Sequence, residues 1–387
     1  MRARSNIRVE TRLAASSSAT APASVTTAVS AKHLANFRRA LLGWYDQHRR
    51  DLPWRETNDP YPIWLSEIML QQTRVAAVLD HYRTFLERFP DVKTLAAASE
   101  DDVLAAWSGL GYYRRARMLH RCAQQIAEQN GGCFPRTSEA LLALPGIGRY
   151  TAAAIASIAF AEPVAVVDGN VERVLQRFTG INLTTPQIWK HAQALLASSR
   201  PGDFNQAMME LGATVCVPRE PRCPMCPVRT WCVLQQSGQG ANRAITSAIT
   251  MERRPSPPAK TRTPPMSRQV KKTIWCVLNQ RDGSIRLVQR SRKASLMAGM
   301  WELPQTSEPP HPVPASAHWR TFHHSITITN YTVHVLRNTR LRNMRLRNTL
   351  LPNTSPAARG KWIATDRIPQ IPITGLTRKI LKAGGII

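Results

Sequence analysis

Glu67 is the only acidic residue in an apolar stretch that runs from residue 62 to residue 73. Large hydrophobic side chains flank it on both sides, so the sequence predicts that its carboxyl is buried. Burial disfavours the charged form and therefore raises the pKa of a carboxylic acid. A carboxyl that keeps its proton near neutral pH can serve as a general acid. The alternative is a carboxylate that caps or pairs locally, or that points to solvent.

Asp168 is a second acid in a suggestive position, because it ends the apolar run 163–167. It follows the turn Leu-Pro-Gly-Ile-Gly-Arg at 144–149, which closes one amphipathic segment and opens another. Gly146 and Gly148 allow main-chain N–H groups to gather at the start of the next helix, where they can bind phosphate. The pattern predicts a helix-hairpin-helix that clamps a DNA backbone, with Asp168 nearby. An ordinary helix end followed by a helix start is the alternative.

Two acids on separate segments of one domain are the pattern used in glycoside hydrolysis. One acid protonates the leaving group, and the other stabilises the positively charged sugar. In a nucleoside the leaving group is the base, so Glu67 and Asp168 indicate removal of a base from DNA. A phosphoester reaction beside the same clamp is the other chemistry that these residues allow. The sequence does not fix the distance between the two carboxyl groups.

Four of the seven cysteines form the cluster Cys216-x6-Cys223-x2-Cys226-x5-Cys232. Four thiolates can hold Zn²⁺ or a [4Fe–4S] cluster, and two C-x2-C pairs would favour zinc. Only one such pair is present, which favours iron–sulfur. The scattered cysteines do not suggest a disulfide framework, so a reducing compartment is expected. Three cysteines are expected to be ordinary core or surface thiols: Cys122, Cys133 and Cys276.

The net charge of +27 is distributed unevenly along the 387 residues. Residues 251–387 carry 24 Lys or Arg against 5 Asp or Glu, which leaves +8 for residues 1–250. Charge of this sign gives salt-dependent affinity for phosphate, so nucleic acid is the expected partner. Basic faces that contact only solvent are the alternative. No run of about eighteen apolar residues is present, and the chain is not expected to span a membrane.

The periodicity divides the chain, which is long enough for two or three domains, into four parts. Residues 1–32 are rich in Ser, Ala, Thr and Arg and are expected to form a disordered extension; an organelle transit peptide has the same composition. Residues 33–235 are expected to form an all-α domain. Residues 236–270 read as a basic, Pro-rich linker, and residues 271–387 as a small α+β domain.

Helical periodicity begins at Leu34 and continues to Tyr45. It predicts further helices at 63–78, 81–89, 101–110, 116–129, 138–144, 150–160, 171–178, 189–198 and 204–215, with a short helix at 376–382. Alternating and β-branched runs predict strands at 273–278, 285–289 and 327–336. An Arg-rich repeat at 337–348 is expected to be an exposed loop that can touch DNA.

Six strings in the helical part resemble one known family. They are Leu-Pro-Trp-Arg at 52–55, Trp-Leu-Ser-Glu-Ile-Met-Leu-Gln-Gln-Thr at 64–73, Gly-Leu-Gly-Tyr-Tyr at 109–113, Leu-Pro-Gly-Ile-Gly-Arg-Tyr-Thr at 144–151, Val-Asp-Gly-Asn-Val at 167–171 and Phe-Asn-Gln-Ala-Met-Met-Glu-Leu-Gly at 204–212. Together with the four cysteines, they resemble the adenine DNA glycosylase (MutY) family of the helix-hairpin-helix, Gly/Pro-Asp DNA glycosylase superfamily along residues 33–235. The 6-2-5 cysteine spacing matches the iron–sulfur loop of that superfamily, so the resemblance implies one [4Fe–4S] cluster.

The resemblance implies removal of adenine paired with 8-oxoguanine or guanine during base excision repair. By this resemblance Glu67 protonates the flipped adenine and Asp168 stabilises the sugar cation. The other matched positions divide into two groups. Tyr150 and Asn170 support the catalytic chemistry. The residues implied to bind DNA or the base are Arg55 and Gln206 in the adenine pocket, Leu70, the base-stack residues Gln72 and Tyr112, the turn residues Gly146 and Gly148, and Thr327.

Two of these positions carry further expectations. Bifunctional relatives that resemble endonuclease III have a lysine at the position of Tyr150, and a phenol cannot form the imine that leads to strand cleavage. A monofunctional glycosylase is therefore expected. For Tyr112, packing in the core is the alternative to a role in the base stack.

The C-terminal part resembles the Nudix-like domain that helps this family to read 8-oxoguanine. Gly-Met-Trp-Glu-Leu-Pro at 299–304 fits that fold, but the Arg-Glu-x-x-Glu-Glu metal box of Nudix hydrolases is missing. Pyrophosphohydrolase activity is therefore not expected. Many relatives carry a Phe-Ser-His loop where this chain has residues 322–328, and only the hydroxyl survives, as Thr327.

The expected partner is double-stranded DNA that contains adenine opposite 8-oxoguanine or guanine, with the protein acting as a monomer. The expected location is the nucleoid-containing cytoplasm of a bacterium, or an organelle or the nucleus of a eukaryote. Two rival hypotheses remain open. One is a glycosylase of the same fold that removes another base, and the other is a DNA-binding protein without catalysis.

Overall fold

The computed structural model of this chain describes residues 31–236, 270–309, 317–326, 328–338 and 360–387. Several predictions lie outside these residues. The extension at 1–32 is described only at its last two residues, and the linker at 236–270 only at its two ends. The greater part of the Arg-rich repeat and Thr327 also lie outside the described residues.

Residues 31–236 contain helices and no strand, as the periodicity predicts. The α-helices are α1 (Ala31–His48), α2 (Pro60–Leu70), α3 (Val75–Arg88), α4 (Val92–Ala97), α5 (Glu100–Ala106), α6 (Arg114–Asn130), α7 (Ser138–Leu142), α8 (Arg149–Phe160), α9 (Gly169–Thr179), α10 (Thr185–Leu195), α11 (Pro201–Thr214) and α12 (Val233–Gln236). Short 3₁₀ turns lie at Pro53–Arg55, Cys223–Met225 and Arg229–Trp231.

The prediction of one continuous helix at 63–78 is wrong beyond residue 70, because α2 ends at Leu70 and α3 begins at Val75. Between them Gln72 has a φ of 58°, in the left-handed region that cannot continue an α-helix. The helix α4 was not predicted, since six residues are too few to show a clear period.

The helices pack around two large apolar cores. One core contains Trp64, Phe85 and Trp107 from the first half of the domain. The other is built by α1, α9, α10 and α11 and includes Phe37 and Phe204. The helices α8 and α11 pack against each other, and α8 also packs against α2. The two cores therefore face each other across α8 and α11, and residues from both can line one cavity.

Gly212 allows α11 to approach the start of α9 very closely. A Cβ atom at this position would lie 2.6 Å from the Cβ atom of Asn170 and 3.0 Å from its main-chain oxygen. A side chain here would force the two helices apart. The glycine therefore fixes how near Asn170 stands to α11.

The C-terminal part contains a seven-stranded sheet among the described residues. Its strands are β1 (Val270–Arg281), β2 (Ser284–Gln289), β3 (Trp301–Glu302), β4 (Gln305–Thr306), β5 (His318–Ile326), β6 (Thr329–Asn338) and β7 (Lys361–Ala364). The order is β3-β2-β1-β6-β5, with β4 also paired to β1 and β7 to β2. The pair β1 and β6 is parallel, with Ile274 opposite Val333, and the other pairs are antiparallel. A helix, α13 (Gly375–Ala383), contributes Ile380 and Leu381 to the core under the sheet.

The strand predictions for β1 and β2 are confirmed, as is the helix at the C-terminal end. The strand expected at 327–336 corresponds to β6, but β5 was missed. In β5 only Phe322 is buried, so the strand lacks the apolar alternation by which strands are recognised. The Arg-rich repeat was expected to be a loop from residue 337 onward. This expectation is wrong for its first two residues, which belong to β6. Arg337 also donates to Gln280 Oε1 at 3.0 Å.

The helical and C-terminal parts contact each other directly. The Ser108 and Tyr113 hydroxyls both donate to the Ile373 carbonyl, at 3.1 and 3.4 Å. Arg378 Nε donates to Ser108 Oγ at 3.1 Å. Met300 is fully buried in the first helical core. The C-terminal sheet is thus held against the turn that contains Tyr112.

Within the described parts of the chain, no helix combines the length and apolar character that crossing a membrane requires.

Candidate active site

A cavity of about 560 Å³ opens between the two helical cores. Seven of the residues that the sequence singles out line it: Arg55, Glu67, Leu70, Tyr150, Asp168, Asn170 and Gln206. They come from α2, α8, α9, α11 and the 3₁₀ turn before α2, so segments far apart in the chain converge here. Gln72, Tyr112, Gly146 and Gly148 do not line the cavity.

Glu67 lies on α2, lines the cavity and is only 7% exposed. The Tyr150 hydroxyl donates to its Oε2 atom at 2.6 Å. Burial raises the pKa of Glu67 to about 7, and the negative charge of Asp168 adds to this rise. The hydrogen bond from Tyr150 and the positive charge of Arg55 lower the pKa but do not cancel the rise. The predicted burial of this carboxyl is confirmed. With a pKa of about 7, a substantial share of the carboxyl stays protonated near neutral pH.

Asp168 is the N-cap residue of α9. Its Oδ1 atom accepts hydrogen bonds from the main-chain N–H groups of Asn170 and Val171, at 2.9 and 2.7 Å. Its Oδ2 atom accepts from Asn170 Nδ2 at 2.8 Å. An acidic N-cap interacts favourably with the positive end of the helix dipole. The carboxylate is therefore held in one orientation on the wall of the same cavity as Glu67.

Arg173 fixes the orientation of the Asn170 amide, and sequence reasoning missed it. Its Nη2 atom donates to Asn170 Oδ1 at 2.8 Å and to the Gly212 carbonyl at 2.7 Å. Because the amide oxygen faces Arg173, the amide nitrogen must face Asp168. Nε of Arg173 also donates to the Cys216 carbonyl at 2.9 Å, so this side chain joins the start of α9 to the cysteine loop.

Glu210 on α11 is a second residue that the sequence reasoning missed. Its side chain is fully buried and accepts from Arg50 Nε and Arg55 Nη2, both at 2.7 Å. Burial alone would raise the pKa of Glu210, but the two guanidinium groups hold it below its ordinary value. Arg55 therefore reaches the cavity wall as part of an ion-pair cluster. The one signal in the sequence was an acid among the apolar residues of 204–212.

Replacing Glu210 with Ala is expected to lower the free energy of unfolding by about 3–5 kcal/mol, because it leaves Arg55 without its partner in a buried site. Urea denaturation measures the change. Asp203→Ala is the matched control on the same helix, since it removes a partly exposed carboxylate from Arg200 and should cost less than about 1 kcal/mol. Equal losses in the two variants would contradict the structural role assigned to Glu210.

Gln72 and Tyr112 lie on exposed turns outside the cavity. Both have positive φ angles, 58° and 48°, which non-glycine residues seldom adopt. Tyr112 is 59% exposed, so the alternative that it packs in the core is wrong. Strained, exposed side chains of this kind are frequent where a protein meets its ligand.

The turn between α7 and α8 has the form that the sequence predicts. Gly146 has a φ of 78°, and a Cβ atom there would lie 2.8 Å from Met118 Cβ, so a glycine is needed for both reasons. Gly148 is the N-cap of α8, has ordinary extended geometry and faces open space. The first N–H groups of α8 are thus accessible to a phosphate group.

The four clustered cysteines line one small cavity of about 50 Å³, together with Arg177 and Arg229. Arg177 Nη1 donates to Cys216 Sγ at 3.3 Å and to the Val217 carbonyl at 2.8 Å. Among the described residues no three His, Cys, Asp or Glu side chains converge closely enough to hold a single metal ion. In a zinc site each sulfur lies about 2.3 Å from one ion, whereas a [4Fe–4S] cluster takes each thiolate on a different iron. Four cysteine thiolates at the wall of one cavity are the donor set that either group uses. Of the other cysteines, Cys122 and Cys276 are buried and Cys133 is exposed, as expected for ordinary thiols.

Comparisons with known proteins agree with this geometry. Residues 65–197 match the model of the HhH-GPD superfamily of base excision DNA repair proteins. A rat (Rattus norvegicus) protein named adenine DNA glycosylase is 43% identical over 318 residues, which cover 71% of this chain and 61% of the relative. The adenine DNA glycosylase of Schizosaccharomyces pombe is 35% identical over 321 residues, covering 69% of this chain and 68% of the relative. A solved structure described as a thermostable thymine-DNA glycosylase is 32% identical with a TM-score of 0.51, covering 53% of this chain and 98% of that one.

Residues 65–197, which contain both acids and the helix-hairpin-helix turn, therefore have the fold of the HhH-GPD superfamily. Within that superfamily the chain belongs to the adenine DNA glycosylase family. It spans about three fifths of the length of the mammalian relatives it matches.

Proposed function

We propose that this chain removes adenine from DNA by hydrolysing the N-glycosidic bond, and that it acts on adenine opposite 8-oxoguanine or guanine. The observation that carries the proposal is the Glu67 carboxyl, which is buried against Tyr150 in the cavity that Asp168 also lines. The names of the relatives at 35–43% identity support adenine as the target base.

The reaction divides between the two acids. The glycosidic bond breaks, its electron pair moves to the departing base, and the proton of Glu67 neutralises the charge that develops there. The sugar is left as an oxocarbenium-like cation, which the Asp168 carboxylate stabilises from the cavity wall. A water molecule then adds to the sugar carbon and gives a proton to the Glu67 carboxylate, which restores the acid and leaves an abasic site. Asn170 keeps Asp168 in place through its amide hydrogen bond.

The flipped base would occupy the cavity near Arg55, Leu70 and Gln206, which supply polar and apolar contacts on its wall. The exposed turns with Gln72 and Tyr112 would fill the gap in the base stack, and the turn with Gly146 would hold the backbone. Tyr150 cannot form an imine with the sugar, so we propose a monofunctional glycosylase without strand cleavage.

We also propose that Cys216, Cys223, Cys226 and Cys232 hold one [4Fe–4S] cluster. When bound, the cluster would cross-link the cysteine loop. Three arginines lie in or beside that loop and would then face phosphate groups: Arg219, Arg222 and Arg229. Iron and acid-labile sulfide in equal amounts in the purified protein, with visible absorption, are the expected result. Zinc without iron would contradict it.

The C-terminal sheet is proposed to be a Nudix-like domain that reads 8-oxoguanine with the hydroxyl of Thr327. Its support is the resemblance of residues 299–304 and the direct packing of this part against the turn that contains Tyr112. The protein is proposed to act as a monomer on double-stranded DNA.

The experiment is a single-turnover assay with duplexes that contain A opposite 8-oxoguanine, A opposite G, A opposite T, and T opposite G, in which chromatography identifies the released base. Adenine from the first two duplexes, with strand breaks only after alkali, is the expected result. Release of thymine alone would favour the specificity named for the solved relative at 32% identity. DNA binding without release of any base would overturn the enzymatic proposal and leave a binding protein.

A further inference from the structure

The turns that contain Gln72 and Tyr112 are far apart in the chain but are joined by a single side chain, Arg115. Gln72 follows the last turn of α2, and Tyr112 precedes α6. Both residues are exposed and both have positive φ angles. Neither conformation is one that the local sequence prefers, so contacts from elsewhere must hold these turns.

Arg115, the second residue of α6, supplies those contacts on the side of Gln72. Its Nη1 atom donates to the Ile68 and Met69 carbonyls, at 2.7 and 3.0 Å. Its Nη2 atom donates to Thr73 Oγ1 at 3.1 Å. The guanidinium therefore binds the chain both before and after Gln72. It also occupies carbonyl groups at the end of α2, where the helix stops.

On the other side the same guanidinium contacts the turn of Tyr112. Nη2 lies 3.5 Å from the Leu110 carbonyl oxygen, at the limit of a hydrogen bond. The Arg115 Cζ atom stands 5.3 Å from the centre of the Tyr112 ring and 5.4 Å from that of Trp107, both within the range of a cation–π contact. Trp107 in turn donates through Nε1 to the Gly111 carbonyl at 3.1 Å.

Arg115 forms no ion pair with an acid among the described residues. Its guanidinium contacts carbonyl groups, the Thr73 hydroxyl and two aromatic rings instead. Burial lowers the pKa of Arg115 to about 10, which leaves it charged at neutral pH. A planar group with several donors in fixed directions can join four acceptors and stack on two rings at once. A lysine ammonium cannot do this, because it is a compact point charge.

We propose that Arg115 is a positioning residue that fixes the spacing of the Gln72 and Tyr112 turns, so that both side chains enter the base stack together when DNA is bound. This inference rests on the proposed function, in which these side chains replace the flipped adenine in the stack.

Arg115→Lys is expected to lower the single-turnover rate constant for adenine release by on the order of 100-fold, as misplacement by about 1 Å can do. The fluorescence of 2-aminopurine at the target position should fall in parallel, because unstacking of the target base precedes the chemistry and is reported without it. Arg117→Lys is the matched control on the same helix. Arg117 bonds to Glu100 and to the Ala298 carbonyl and contacts neither turn, so its rate constant and fluorescence should stay unchanged.

A double-mutant cycle separates positioning from a loss of folding. In a Gln72→Ala, Tyr112→Ala background the added Arg115→Lys substitution should change the rate constant by less than about twofold. The two side chains that enter the base stack are then absent, so Arg115 has nothing left to position. A full loss in that background would overturn the inference and assign Arg115 a general structural role. An unchanged 2-aminopurine signal in Arg115→Lys would overturn it as well. Failure of the proposed function is a different result, in which the native protein unstacks 2-aminopurine but releases no adenine.

Discussion

Glu67→Gln is expected to reduce the single-turnover rate constant for adenine release by about 10²–10⁴-fold, the usual contribution of a positioned general acid. The amide has nearly the same shape as the carboxyl and can still accept the hydrogen bond from Tyr150, which is 2.6 Å long in the native site. Only the transferable proton is lost. The measurement is adenine release from a duplex with A opposite 8-oxoguanine, under excess enzyme.

Two controls make this result specific to the chemistry. The free energy of unfolding should not fall, because a neutral amide is easier to bury than a carboxyl that ionises near pH 7. Affinity for a duplex with a non-cleavable adenine analogue should also remain. A variant that releases adenine at the native rate would remove Glu67 from the mechanism and favour the alternative of a structural acid.

Asp168→Asn is expected to reduce the rate constant by about 10²–10³-fold or more, because the charge that faces the developing sugar cation is lost. The helix should survive. Asparagine is as good an N-cap as aspartate, and its amide oxygen can accept the two main-chain bonds that Oδ1 accepts in the native protein, at 2.9 and 2.7 Å.

Asp91→Asn is the matched control for Asp168→Asn. Asp91 also caps a helix, α4, through a bond from Thr94 N at 2.8 Å, but it does not line the cavity. It should leave the rate constant unchanged. Equal losses in the two variants would show that capping, and not the charge at Asp168, accounts for the effect.

The two acids and the hairpin turn were predictable because each depends on its own short stretch of sequence. Glu67 is the only acid among apolar residues. Gly146 has a left-handed φ, which the Leu-Pro-Gly pattern indicates. The break after α2 was not predictable in this way. Residues 71–74 contain no Gly or Pro, and the turn is held by Arg115, more than forty residues further along the chain.

Glu210 illustrates the same limit at the site itself. Its partners, Arg50 and Arg55, lie 160 and 155 residues away in the sequence, so nothing local marks the acid as the centre of a buried ion cluster. Arg173 was missed for a related reason, since its role depends on the close approach of α11 that Gly212 permits. Sequence patterns thus singled out Glu67, Asp168 and their hydrogen-bond partners in the cavity. They did not single out Arg173 or Glu210, whose contacts depend on segments far away in the chain.

The most direct test of the account is the pH dependence of single-turnover adenine release by the native protein and by Tyr150→Phe, from about pH 6 to about pH 9. Glu67 must be protonated to act, and its pKa is about 7. The native rate constant should therefore be level at the acidic end and fall about tenfold per pH unit above neutrality. In Tyr150→Phe the fall should begin at higher pH, because the hydrogen bond that lowers the pKa of Glu67 is absent. A rate constant that rises with pH through neutrality would contradict the account, since the ionised carboxylate would then be the active form.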